Sequence, residues 1–235
     1  MKKTFVAPLL AGAMLLMGAA TAMSASITYT GSTAMLPLDW GTASPGTIVI
    51  SLPQWDPSAY PSYYSLTSVD IEWIGSELGN FSGQNMNRQT TKTIAADIHA
   101  HINLDVPGLG TSPLSAQPTL TTPTQTMGAY TGIPFNFAAP DGFSLTNLSS
   151  FEEVYGSPTN LLPYIGAGNV TFNAWATDES MYLGNSANMI LIIENYAAGE
   201  LEVTYNYTAV PEPSTFVLLG AGLLGAVAMR RRAKK

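Results

Sequence analysis

Residues 96–106 read "ADIHAHINLDV", and the period of that run decides the fold class. Ile98, Ala100, Ile102, Leu104 and Val106 fall on one side of an extended backbone, and Asp97, His99, His101, Asn103 and Asp105 on the other. Successive side chains of a strand point to opposite faces, so strict alternation marks a strand with one face buried and one wet. The same period recurs on both sides of this run. "TIVISL" (Thr47 to Leu52) and "SVDIEWIG" (Ser68 to Gly75) precede it, the second setting Val69, Ile71 and Trp73 against Asp70 and Glu72. "NVTFNAWAT" (Asn169 to Thr177), "MILIIENY" (Met189 to Tyr196) and "ELEVTYNYT" (Glu200 to Thr208) follow. "AAGE" (Ala197 to Glu200) reads as a tight turn that makes the last two strands a hairpin.

Between Ser26 and Tyr207 no segment sustains a helical period. Many short strands with Gly, Pro and Asn between them, and no alternation of strand with helix, predict an all-β antiparallel sandwich over residues 26–208. The stretch from Pro107 to Pro134, "PGLGTSPLSAQPTLTTPTQTMGAYTGIP", is predicted to be a long surface excursion, because repeated proline is incompatible with central strands.

The two ends differ from this body. Residues 1–25, "MKKTFVAPLLAGAMLLMGAATAMSA", place Lys2 and Lys3 before an apolar run and then small residues, the build of a secretory signal helix. Small residues at the right spacing fit cleavage after Ala22 or after Ala25. The chain contains no cysteine, so a secreted body must rely on packing and not on disulfides. At the other end, residues 215–229 carry no charge, and a helix of that length rises only ~22 Å. A bilayer core is about 30 Å thick, so this predicted transmembrane helix is short for a permanent span. Arg230, Arg231, Arg232, Lys234 and Lys235 follow as a stop that stays on the cytoplasmic side of the inner membrane.

Removing both ends changes the charge balance. The body holds two basic residues, Arg88 and Lys92, against all 16 acidic residues of the chain, which lie between Asp39 and Glu212. A surface this acidic repels phosphate backbones and excludes nucleic acid as a partner. It is compatible with divalent cations or basic partners.

Val210-Pro211-Glu212-Pro213, the short apolar helix behind it and the terminal basic cluster together resemble the PEP-CTERM sorting signal of Gram-negative bacteria that make extracellular polysaccharide. Pro211 and Pro213 fix φ and remove two backbone donors, so the tetrapeptide stays extended and outside the helix. The resemblance implies that an exosortase, a membrane-embedded processing enzyme, recognises residues 209–235 and that this chain is its substrate. It also implies an exported protein, displayed on the cell surface or released into exopolysaccharide or biofilm, without catalytic activity of its own. A second resemblance covers the body. "ISLPQWDPSAYPSYYSLTSVDIEWIGS" (Ile50 to Ser76) resembles the opening of the choice-of-anchor E domain, with Trp55 at the usual Phe position and "AYPSYY" lengthening the turn. "YIGAGNVTF" (Tyr164 to Phe172) and "VTYNYTAVPEP" (Val203 to Pro213) are similar to later runs of that domain. That likeness implies an exported β domain and supplies no active site.

Two constellations carry possible chemistry. Asp97, His99 and His101 share a strand face, with the two histidines roughly 6.6 Å apart along it, and offer three ligands to a metal. The same residues equally read as an ordinary solvent-facing polar row, and no cysteine completes a zinc set. Trp55, Tyr60, Tyr63 and Tyr64 form an aromatic cluster that, if exposed, suits stacking on the C–H faces of a sugar, the basis of an alternative reading as a carbohydrate-binding module. Calcium would find oxygen ligands in "ATDESMYLGNSAN" (Ala176 to Asn188), at Asp178, Glu179, Asn185 and Asn188, though no known calcium-loop pattern is present. No nucleophile-elbow pattern supports a hydrolase; the reading of the chain is one without catalytic residues or a required cofactor, with a metal-dependent enzyme as a further alternative to the carbohydrate-binding module.

Overall fold

The computed structural model describes residues 24–38, 47–62, 64–110, 113–209 and the helical positions 220–222, 224, 226, 229 and 230. It is an antiparallel β-sandwich, as the alternation predicts. Twelve strands are described: β1 (Ser24–Ser32), β2 (Leu36–Pro37), β3 (Ile48–Pro53), β4 (Tyr64–Asn85), β5 (Lys92–Asp105), β6 (Leu114–Ala116), β7 (Thr119–Thr121), β8 (Gln125–Met127), β9 (Gly142–Gly156), β10 (Asn169–Asp178), β11 (Met181–Gly184) and β12 (Met189–Ala209). The predicted signal helix, apart from Ser24 and Ala25, lies outside the described residues, as do Val210 to Pro213, Tyr63 and the basic residues after Arg230. Among the described residues no helix is long and apolar enough to cross a membrane.

One sheet runs β1-β12-β4-β9, with β2 also on β12. β4 and β12 pair along their whole length, from Met189 opposite Asn85 to Ala209 opposite Tyr64. The other sheet is built around β5. β10 and β11 lie end to end along one edge of β5, β6, β7 and β8 along the other, and β3 pairs with the far side of β10.

Two expectations fail here for physical reasons. No hairpin forms at Ala197 to Glu200, because β12 runs straight through it. Gly199 is needed for packing: a Cβ there would come within 2.0 Å of the Trp73 ring, so the glycine leaves the space that the indole fills. Its backbone N–H and C=O are both met by Thr33, each at 2.8 Å. The proline-rich stretch is likewise no free excursion. It is cut into β6, β7 and β8, three strands of three residues each, which cover one edge of β5. Pro118 and Pro123 fall in the gaps between them, where no ladder donor is lost. β1 and β9, which complete the first sheet, were not apparent from the alternation.

The inner faces carry the predicted residues. Val69, Ile71 and Trp73 of β4, Ile98, Ala100, Ile102 and Leu104 of β5, and Leu201, Val203 and Tyr205 of β12 are buried. Each large apolar side chain so buried contributes about 1.5–3 kcal/mol before chain entropy is set against it. β4 approaches the second sheet closely through Gly75 and Gly79, where an added Cβ would meet Ala116 of β6 at 2.5 Å and Ile98 of β5 at 2.9 Å. The core divides into two lobes. The larger holds Trp55, Trp73, Tyr164, Phe172 and Tyr205 among aliphatic residues, and the smaller holds Phe81, Ile94, Ala96, Ile98 and Met127.

Candidate functional site

The β5 face predicted to be polar is half-exposed and carries His99 and His101 side by side, their rings 4.9 Å apart and nearly perpendicular at 76°. β10 ends at Asp178, opposite Ala100, and β11 begins at Met181, opposite Asp97. The residues linking the two strands are therefore held against His99. The Glu179 N–H donates to the His99 carbonyl at 2.9 Å, and the His99 N–H donates to Ser180 Oγ at 3.1 Å. Asp178 Oδ1 accepts from the Ser180 N–H at 2.9 Å, which fixes the turn. The Glu179 carboxylate then reaches His101 Nε2 at 3.1 Å. One ligating atom from each of His99, His101 and Glu179 lies within 4.8 Å of the other two.

The structure thus brings together two of the three predicted ligands and replaces the third. Asp97 shares the face but accepts from Thr121 Oγ1 at 3.0 Å and is not part of the group. Glu179 was missed as its partner because its approach depends on the pairing of β10 and β11 with β5, which no local pattern announces. The four oxygen ligands considered for calcium do not converge. β11 separates Asp178 and Glu179 from Asn185 and Asn188, roughly 13 Å of strand, and Asn185 Oδ1 accepts from the Ala187 N–H at 3.0 Å.

The aromatic cluster forms, but not as an open platform. Trp55 is only 4% exposed. Tyr60 already stacks on it, with rings 5.5 Å apart and 13° from parallel. Tyr60 and Tyr64 are half-buried around Tyr207, at 4.9 and 5.9 Å. Burial, helped by a hydrogen bond and charge repulsion with Tyr207, raises the Tyr60 phenol above its ordinary pKa. These rings pack against one another at the end of the sandwich where β12 finishes.

A second polar group lies between the sheets and was not predicted. Glu77, on the inner face of β4, is 1% exposed and accepts from Asn195 Nδ2 at 2.7 Å. Asn195 Nδ2 also approaches Ser180 Oγ at 3.2 Å. Glu77 Oε2 and Asn195 Oδ1 have no hydrogen-bond partner. Burial pushes the Glu77 carboxyl up to about 7, the Asn195 bond opposes this, and the charges of Asp178 and Asp97 add to it. The signal was present in the sequence, since Glu77 has the parity of Val69, Ile71 and Trp73 on one strand. A second buried acid, Asp141, accepts at Oδ2 from the Thr131 N–H and hydroxyl at 2.9 and 3.0 Å, bonds that hold its carboxyl below the ordinary value.

Comparison with known proteins finds one family signal. The PEP-CTERM protein-sorting motif matches residues 209–232, which marks the chain as an exported protein addressed to an exosortase. No curated protein matches this chain in sequence. Among solved structures, a chain of the mud crab tombus-like virus is similar at 9% identity and a TM-score of 0.24, covering 84% of this chain and 86% of that one. A chain of the infectious bursal disease virus Gx strain is similar at 12% identity and a TM-score of 0.11, over 91% of this chain and 49% of that one. The BFDV capsid protein is similar at 12% identity and a TM-score of 0.18, over 78% and 99%. Likenesses this weak carry no functional meaning.

Proposed function

We propose that the chain is a non-enzymatic surface or matrix protein, exported by its N-terminal signal, held briefly by the segment after Ala209, processed by an exosortase at the inner membrane, and then displayed or released into extracellular polysaccharide. The observation that carries this reading is the pairing of the two ends of the sandwich. Ser24, the first residue of β1, lies opposite Thr208, next to the last residue of β12. Both membrane-directed segments therefore leave the folded body side by side from one pole, as a precursor with both ends at one membrane requires. β12 ends at Ala209, immediately before the Val210 to Pro213 motif that a processing enzyme would recognise. The same geometry favours signal cleavage after Ala22, which leaves β1 whole, over cleavage after Ala25, which removes the pairs at Ser24 and Ala25.

The resemblance of the body to the choice-of-anchor E domain fits this reading and is part of the proposal. In an exosortase-bearing host, deletion of residues 210–235 is expected to move the protein from the membrane fraction and the surface into the periplasm, and intact mass of the wild-type product is expected to show loss of the tail. An unchanged location and size for the deletion, with the tail retained in the wild type, would overturn it.

A further inference from the structure

We propose that His99, His101 and Glu179 form a binding site for one divalent transition metal ion of the zinc class on the outer face of β5. Two imidazole nitrogens and a carboxylate oxygen are the donor set that borderline ions such as zinc prefer, with the fourth tetrahedral position left to water. Calcium and magnesium, which take oxygen ligands in larger number, fit this set poorly.

Three features of the surroundings prepare these side chains for the task. Thr119 Oγ1 lies 2.7 Å from His99 Nδ1 and donates its own proton towards the Gln117 carbonyl at 3.4 Å. A ring that donates from Nδ1 to this hydroxyl keeps its Nε2 lone pair free for a metal. A second partner of this kind commonly fixes tautomer and ring orientation in metal-ligating histidines. His99 and His101 alternate on a strand, so backbone pairing on both edges of β5 sets their spacing. Glu179 is tied to the same strand by its backbone bond to His99, so the third ligand moves with the first. In the absence of metal, His101 and Glu179 pair with each other at 3.1 Å. A zinc ion replaces that contact, bonding to both atoms while drawing in His99. Both histidines are half-buried and Glu179 is exposed, so an ion can enter from solvent.

The test is zinc titration of the full chain, purified in detergent without a histidine tag, followed by calorimetry with zinc alone and with calcium alone. The expected result is one zinc per chain and no calcium. His99→Ala and His101→Ala are expected to weaken zinc binding at least 100-fold, and Glu179→Gln and Thr119→Val about 10- to 100-fold, while Asp97→Asn leaves it unchanged. Because His99, His101 and Asp97 are half-buried while Glu179 and Thr119 are exposed, circular dichroism of each variant accompanies the titration, and zinc is expected to raise the melting temperature of the wild type but not of His101→Ala. The proposal is overturned if the wild type takes up no stoichiometric zinc, if folded His99→Ala and His101→Ala bind it as the wild type does, or if Asp97→Asn abolishes binding and Glu179→Gln does not. None of these outcomes bears on sorting, which the tail deletion tests separately.

Discussion

The two lobes of the core lie between the same two sheets and are held in different ways. In the larger lobe, big aromatic side chains bury their rings and send their polar atoms to backbone carbonyls. Trp73 Nε1 donates to Ile102 across the sandwich at 2.9 Å, the Tyr164 hydroxyl to Pro107 at 2.7 Å, and the Tyr205 hydroxyl to Pro53 at 2.8 Å. Burial pushes both of these phenols well above their ordinary pKa, so they remain donors throughout the physiological range. In the smaller lobe the buried apolar residues are aliphatic apart from Phe81, and the bond between its sheets comes from an amide at its edge, Asn85 Nδ2 donating to the Gly128 carbonyl beside β8 at 2.7 Å. Glu77 and Asn195 stand between the lobes, each with an oxygen that lacks a partner. The larger lobe contains the strand ends next to both sorting segments. The pole where β1 begins and β12 ends is therefore the one whose large rings are themselves fastened to backbone carbonyls.

Substitution of Trp73 is the strongest way to break this comparison. Trp73→Ala removes the largest buried side chain together with its bond to the Ile102 carbonyl, leaves a space above Gly199, and is expected to cost about 4 kcal/mol. Urea denaturation would measure it as a lower midpoint with an unchanged slope. Ile98→Ala makes the corresponding cavity in the smaller lobe and is expected to cost about 3 kcal/mol. Since β4 and β12 run through both lobes, each variant should still unfold in one transition; a separate early transition for Ile98→Ala would show that the lobes open independently.

The polar layer gives an effect of intermediate size that depends on pH. In the folded protein Glu77 keeps its proton up to about pH 7, whereas in the unfolded chain it loses it near 4.5. Folded protein thus binds the extra proton between those values. The associated stability is complete below pH 4.5 and is lost as pH rises through 7. The loss is expected to be on the order of 2 kcal/mol after allowing for screening near the exposed Asp178. Protonation also gives the carboxyl, whose Oε2 has no hydrogen-bond partner, a proton to donate. Glu77→Gln, which cannot ionise, should flatten the decline in melting temperature between pH 5 and 8. If the wild type and Glu77→Gln decline in parallel, Glu77 is not the group responsible.

How far these features could be read in advance follows from which interactions are local. Alternation placed Ile98 to Val106 and Val69 to Trp73 on inner faces because burial on one side of a strand imposes its period directly on the sequence. The same parity put Glu77 inside, where only its charge argued otherwise. β9 was not legible because it is an outer strand with little burial to impose a pattern, its residues reading as polar and apolar without a clean period. Gly199 misled because glycine serves close packing as well as turns, and nothing near it in sequence reveals the Trp73 ring above it. The histidine pair was visible, while Glu179 reaches it only through strand pairing across some 80 residues of chain, as the His99 to Ser180 bond at a separation of 81 illustrates.

The finest distinction between the lobes rests on single hydroxyl groups. Tyr205→Phe keeps the ring, its edge contact with Tyr29 at 5.9 Å and its burial, and removes only the bond to the Pro53 carbonyl. The expected cost is about 1 kcal/mol, because a carbonyl at the end of β3 loses its donor. Tyr155→Phe provides the comparison on the outer surface. There the hydroxyl donates to Glu72 at 3.1 Å and Glu153 at 2.9 Å, and those hydrogen bonds push its pKa up to about 12. Although it makes two bonds to carboxylates, its loss is expected to leave the melting temperature unchanged, since water replaces the donor at an exposed site. If thermal denaturation gives the two variants the same cost, the bonds at the aromatic lobe are no more than surface contacts, and ring packing alone distinguishes it from its neighbour.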